Sequence, residues 1–245
     1  MDDRARLSGV LHELRELGVE EWYFDGLTAA EAAALLRGAR SPAPGPSRAT
    51  PGTSTTAAPP SGTPLQVLAA AAAGCTRCRL AEGRTQVVFG RGDPEAQLVV
   101  VGEAPGGEED RQGLPFVGPA GKLLDLLLLA AGFPRERVYI CNVLKCRPPR
   151  NRDPQADEVA SCASWLHGQL EVIRPKVLLA VGKFAGQTLS GSDASISRLR
   201  GVVHSFRGIP VVATYHPAYL LRTPHATRRT WQDFQLMRRV LDEHD

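Results

Sequence analysis

Short apolar runs of strand character alternate with longer helical stretches through the second part of this chain. That alternation limits the fold more than any other feature of the sequence. Leu98-Val99-Val100-Val101 is a brief apolar run, and the Gly- and Pro-rich stretch behind it marks the end of a strand. Val138–Cys141 and Lys176–Val181 have the same character. Val202–Phe206 and Ile209–Ala213 predict a strand pair turning at Arg207-Gly208. Helices are expected from about Pro119 to Ala131, from an Asp153-Pro154 cap to about Ile173, from about Lys183 to Leu189, and from about Thr227 onward. The pattern predicts an α/β fold: a three-layer α/β/α sandwich around a mostly parallel four-stranded sheet. Ligands in such sheets sit beyond the carboxyl ends of the strands. Glu103, Asn142 and His216 each fall just after one.

The first part of the chain is different. Residues 1–38 predict a small helical appendage, with Leu7, Val10, Leu11, Leu14 and Leu17 at helical spacing and a Thr28 cap before an Ala/Leu-rich run. They hold four arginines against eight acids, which makes the appendage a poor polyanion binder. With Trp22-Tyr23-Phe24 between the two helical stretches, residues 1–38 read either as an element that docks a protein partner or as a self-packed cap whose aromatics form its own small core. Residues 39–64 read as a disordered linker, because seven of the 24 residues from 41 to 64 are proline and Arg48 is the only charge among them. A single body is expected from residue 65 to 245. No run approaches the ~20 apolar residues of a membrane span. The start Met-Asp-Asp-Arg lacks the basic-then-apolar pattern of an export signal, so no membrane and a cytoplasmic setting are expected.

Five cysteines in 245 residues are too few for a disulfide framework, and the odd count argues against complete pairing. Cys75 and Cys78 stand at metal-ligand spacing, followed by 67 residues to Cys146 and 15 more to Cys162. Four thiolates suit zinc as well as an iron–sulfur cluster, and spacing does not separate them. Cys141, on a predicted strand, reads as a buried apolar residue. Positive charge clusters at Lys145, Arg147, Arg150 and Arg152, again at Arg198, Arg200 and Arg207, and at Arg222, Arg228 and Arg229. Such groups are the footprint of phosphate-backbone binding.

The stretches GEAPGGEED (102–110), PFVGPAG (115–121), NVLKCRPPRNRDP (142–154) and HPAYLLR (216–222), together with the four cysteines, resemble the iron–sulfur (type 4) uracil-DNA glycosylases over residues 65–245. The resemblance implies a monomeric, monofunctional DNA repair glycosylase. It would flip uracil out of single- or double-stranded DNA and hydrolyse the N-glycosidic bond to leave an abasic site. It implies a [4Fe-4S] cluster on Cys75, Cys78, Cys146 and Cys162. Asn142 would read the uracil edge, and Phe116 would stack on the base. His216 would stabilise the departing anion. Gly102 and Ala104 would line the pocket, Ala104 standing where the wider superfamily carries a water-positioning aspartate. Glu109 would then position water and crowd a thymine methyl, Glu103 would support the loop and Asn151 would help to hold the water. Lys145, Arg147, Arg150, Arg152 and Arg222 would contact DNA.

Other readings predict other residues. A metal-stabilised nucleic-acid-binding module without catalysis would not need both Asn142 and His216. A relative that becomes covalently trapped on DNA uses a histidine in an inserted basic loop, and the loop from Cys146 to Pro154 has none. An iron–sulfur electron carrier would hold its cysteines in a compact cluster, not 67 residues apart.

Overall fold

A computed structural model describes residues 62–243. The expected appendage of residues 1–38, and residues 39–61 of the expected linker, lie outside them. The last stretch assigned to the linker is ordered instead. Thr63 caps helix α1 (Pro64–Ala73) through a capping box with Gln66, and Pro64 occupies the first turn, where its missing N–H costs nothing.

The sheet has six strands rather than the expected four: β1 (Arg91–Gly92), β2 (Leu98–Gly102), β3 (Tyr139–Asn142), β4 (Val177–Val181), β5 (Val203–Phe206) and β6 (Ile209–Thr214). Their order is β1-β3-β2-β4-β6-β5. The inner four are parallel, while β1 and β5 pair antiparallel at the two edges. Two-residue β1 escaped notice because a strand that short has no periodicity to read. At Arg207 (φ 52°) and Gly208 (φ 85°), both in the left-handed region, the β5–β6 hairpin turns as its two-residue loop requires.

Every residue of β2 and β4 is buried, because helices cover both faces. Alternate strand residues feed two cores. Leu98, Val100, Ile140, Leu179 and Val212 pack with Leu124 and Leu128 of α4 (Pro119–Ala130) and with Phe234 and Met237 of α9 (Thr227–Asp242). Val99, Val101, Cys141, Leu178 and Ala213 pack with Leu166 and Leu170 of α5 (Ala156–Ile173) and with Ala185 and Leu189 of α6 (Lys183–Ser190). Helix α5 starts later than the Asp153-Pro154 cap predicts, because Gln155 and Glu158 form the capping box. The short helices α2 (Leu80–Gly83), α3 (Gly107–Gln112), α7 (Ile196–Leu199) and α8 (Pro217–Leu220) complete the body.

The order of the inner strands reverses at β2: β3 lies on one side of it, and β4 and β6 on the other. The loops after β2, β3 and β6 therefore meet at one end of the sheet. Among the described residues, no helix is long and apolar enough to cross a membrane.

Candidate active site and cysteine lobe

A cavity of about 510 Å³ opens at that end, and Glu103, Glu109, Phe116, Asn142, Asn151 and His216 are all among its lining residues. Gly102, the last residue of β2, makes the arrangement sterically possible. A Cβ there would stand 2.3 Å from Asn142 Oδ1 and 2.6 Å from the Phe116 ring. The side chain of Asn142 is thereby admitted to the pocket floor. It is 1 % exposed, and its Oδ1 finds no hydrogen-bond partner among the described residues. An unmet buried acceptor is costly, and this one lines the cavity, where a donor from a bound molecule or water can meet it.

Phe116 forms one wall. Its φ of 52° is unusual for an aromatic residue, and its surroundings enforce it. Arg135 donates to the carbonyls of Pro115 (2.5 Å) and Phe116 (3.1 Å) while pairing with Asp125 at 2.6 Å. Gly121 leaves room for the Phe116 carbonyl, which would lie 2.0 Å from a Cβ at that position. Arg135, Asp125 and Gly121 went unnoticed in the sequence. The Gly121 of PFVGPAG carried a signal; the ion pair, across a helix and a turn, did not.

The ring of His216 lies 5.7 Å from that of Phe116, with 27° between the planes. Its Nδ1 accepts the Ala218 N–H at 3.1 Å, which leaves the ring proton of the neutral form on Nε2. Burial, with the charge of Arg222 adding to it and that of Glu109 opposing, pushes the His216 pKa down to about 4. At neutral pH the site therefore holds an uncharged imidazole with one N–H to donate.

The two loop acids have different surroundings. Glu109 Oε1 accepts the Val117 and Gly118 N–H groups at 3.0 and 3.1 Å, so that oxygen is committed to the turn that opens α4. The other oxygen, Oε2, sits against Gly106. Burial, then the charge of Asp153, with Lys183 opposing, raises the Glu103 pKa to about 7. Asp110 belongs to the scaffold, accepting the Thr85 N–H at 2.9 Å and the Thr85 hydroxyl at 2.6 Å. Ala104 lines the cavity beside Pro105 and Gly106.

The cations expected on a DNA face divide into two groups. Arg150 and Arg222 are exposed, and Arg147 is half-buried, donating to Asn151 Oδ1 at 2.7 Å. Arg222 also lines the cavity mouth, next to Tyr219. Arg152 lines the cavity as well, but its guanidinium clasps Glu158 (2.9 and 2.5 Å). Lys145 must be removed from the face. It is 1 % exposed, and its ammonium donates inward to Asn142 O and Gln169 Oε1. Of the second arginine group, Arg200 is likewise engaged internally, by Asp233 at 2.9 Å, and Arg207 pairs with Glu171 at the surface at 2.9 Å.

The four cysteines are brought together. Cys75, Cys78, Cys146 and Cys162 line one cavity with Arg77, Arg84 and Trp165, whereas Cys141, on β3, is buried in the core. Donors point at the sulfurs. The Lys145 N–H reaches Cys162 Sγ at 3.3 Å, Arg84 reaches Cys146 Sγ at 3.3 Å, and Arg77 and Trp165 reach Cys75 Sγ at 3.4 Å each. Burial raises the thiol pKa of Cys146 and Cys162, so as free groups they stay protonated. The donor set fits a group that enforces thiolates and spreads their charge over several sulfurs. Among the described residues, no three cysteine, histidine or acidic side chains converge tightly enough to grip one metal ion.

A mostly parallel sheet with a cavity at its switch point, and four cysteines around a second cavity, defines an α/β protein with a ligand-sized site beyond the carboxyl ends of its strands. Residues 89–235 match the family model described as the uracil DNA glycosylase superfamily, and the chain belongs to that superfamily. It is similar to a protein named type-4 uracil-DNA glycosylase from Archaeoglobus fulgidus, with 45 % identity over 169 residues covering 66 % of this chain and 85 % of that one. A protein of the same name from Thermotoga maritima is 49 % identical over 150 residues, covering 60 % of this chain and 78 % of its own length. Another, from Sulfurisphaera tokodaii, is 39 % identical over 175 residues, covering 68 % and 80 %.

Proposed function

We propose that this protein is a uracil-DNA glycosylase of the type-4 kind, which takes uracil out of DNA and hydrolyses its N-glycosidic bond to leave an abasic site. The observation that carries the reading is the unpartnered Oδ1 of Asn142 on the pocket floor. Uracil offers an N3–H donor beside the O4 acceptor, and one carboxamide matches both. Cytosine presents the reversed pattern, so the site discriminates against it where the protein holds the amide in this one orientation.

The surrounding residues supply the rest. Phe116 gives the flipped base a face to stack on. Bond cleavage leaves positive charge on the sugar and sends the electron pair to uracil. The uncharged His216 can then donate Nε2–H toward the developing oxyanion at O2 without surrendering its proton. Glu103, with a pKa of about 7, is a carboxyl at the pocket wall that can orient or activate water near neutrality. Glu109 keeps Oε2 for the same water and shapes the pocket against a 5-methyl group, and Asn151 stands at its edge. Arg147, Arg150 and Arg222 form the DNA-facing set.

The cysteine lobe supports a [4Fe-4S] cluster on Cys75, Cys78, Cys146 and Cys162, which when bound ties α5 and the loops around it into one rigid unit. Such thiolates suit a reducing, cytosolic setting. The domain would run from about residue 63, where the cap of α1 stands, to 245, acting as a monomer, with residues 1–38 left for a protein partner.

Iron-loaded protein incubated with a uracil-containing oligonucleotide, without added divalent metal, should leave abasic sites that break only after alkali. If such protein leaves no alkali-sensitive sites, the glycosylase reading falls, and a nucleic-acid-binding module without catalysis takes its place.

A further inference from the structure

Lys145, 1 % exposed, is one of the large fully buried side chains among the described residues. Taking an ammonium out of water is strongly unfavourable unless it is fully hydrogen-bonded, so its position needs a reason. No acid offsets it at the contacts it makes. Instead its Nζ donates to the main-chain carbonyl of Asn142 at 2.7 Å and to Gln169 Oε1 at 2.5 Å. Gln169 is held in turn, its Nε2 donating to Phe89 O at 2.8 Å and to the Tyr139 hydroxyl at 3.1 Å. The main-chain N–H of Lys145 donates to Cys162 Sγ at 3.3 Å. Cys162 and Gln169, two turns apart on α5, therefore hold the same residue at its backbone and at its side-chain tip.

Two further main-chain bonds secure the segment after Asn142: Val143 N–H to Gly102 O at 2.9 Å and Leu144 N–H to Glu103 O at 3.0 Å. Both tie it to β2. The bond from Lys145 fixes the Asn142 peptide itself. An amide that must meet two uracil atoms at once tolerates little displacement.

We propose that Lys145 is a positioning residue for base recognition: its buried ammonium holds the Asn142 peptide in register against α5, so that the side-chain amide meets the uracil edge. The proposal rests on the glycosylase reading and extends it to a residue that cannot touch substrate. It also explains a lysine placed next to Cys146 yet turned away from DNA.

A double-mutant cycle tests it, using Lys145→Met and Asn142→Ala in single-turnover uracil excision. Iron and sulfide per chain and affinity for abasic-site DNA are measured on each variant. Lys145→Met should excise about 30-fold more slowly, the loss expected when one charge-assisted bond at a positioned group goes. Its iron content and its affinity for abasic DNA should stay within about twofold of wild type, since neither depends on how the amide meets the base. In the Asn142→Ala background the same change should cost nothing further, because the effect runs through that amide. Equal losses in both backgrounds, or a wild-type rate for the single variant, would overturn the proposal. Lys145→Gln, which keeps a shorter neutral donor, serves where the methionine variant loses iron. If neither variant keeps iron, Lys145 is a folding residue of the cysteine lobe and the proposal is wrong. A wild-type protein inactive on the same oligonucleotide would instead remove the glycosylase reading on which the proposal rests.

Discussion

The pocket and the cysteine lobe treat buried polar groups in opposite ways. Around the cysteines, donors from Arg77, Arg84, Trp165 and the Lys145 main chain converge on sulfur. The adjoining Glu158, 0 % exposed, is clasped by Arg152 and Arg79. The Arg152 bond above all, against the opposing effect of burial, brings its pKa down to about 2. In the pocket, Asn142 Oδ1 is left without a partner and Glu103 rises to about 7. A lobe that satisfies its groups internally is a scaffold. A pocket that leaves them unsatisfied is completed by what it binds.

The contrast is broken most severely at Asn142. Asn142→Asp places a carboxylate opposite the uracil O4 acceptor and should slow uracil excision by on the order of 10³-fold, as for other sites that lose a matched polar contact. Single-turnover assays on paired uracil and cytosine oligonucleotides check this, and a variant within tenfold of wild type would remove the edge-reading role.

On the scaffold side, Cys146→Ser should abolish the brown colour and lower iron per chain by more than about tenfold, with soluble yield falling alongside, since a cluster couples to folding. Cys141→Ser, in the core, should leave the iron unchanged. Iron analysis of protein purified without air decides it, and stoichiometric zinc in the wild type would refute the cluster.

Glu103 sharpens the comparison through pH. With a folded pKa raised to about 7, its carboxylate form grows in as pH rises through neutrality. Excision should rise over the same interval, and Glu103→Gln should flatten that rise and cost about tenfold at pH 8, the usual scale of an acid–base contribution. The stability effect has the opposite sign. A carboxyl whose folded pKa is raised destabilises the fold increasingly as pH rises from its ordinary value of 4.5 and fully above about 7, so Glu103→Gln should raise the melting temperature at pH 8 and leave it unchanged at pH 4. Equal melting shifts at both pH values would contradict desolvation of the carboxylate as the cause.

The smallest effect is expected at the rim. Arg222→Ala should weaken DNA binding a few-fold regardless of sequence and reduce the salt dependence by about one ion. A titration at several salt concentrations reads both, and an unchanged slope would take Arg222 off the DNA face.

Much of the fold was legible because its signals are local. Leu98–Val101 and Lys176–Val181 are dense apolar runs, and they form the two strands buried on both faces. Arg207-Gly208 supplied the turn residues of the hairpin. The capping box at Gln155 and Glu158 was misplaced onto Asp153-Pro154, because a proline after an acid is the louder signal and Glu158 also serves Arg152. The cations were the least legible. A run of lysine and arginine reads as one basic face, yet Lys145 turns inward, Arg152 binds Glu158 and Arg150 is exposed.

The sequence by itself determined the alternating α/β pattern, the four cysteines and the loop residues placed after the strands, because periodicity, spacing and turn chemistry act over a few positions. Only the tertiary structure decided which of those groups are paired and which are left open. The carbonyl that Lys145 holds, the room that Gly102 leaves for Asn142, the tautomer of His216 and the raised pKa of Glu103 all depend on burial and on partners distant in the chain. Desolvation and hydrogen bonding are properties of assembled neighbours, and no stretch of sequence contains them.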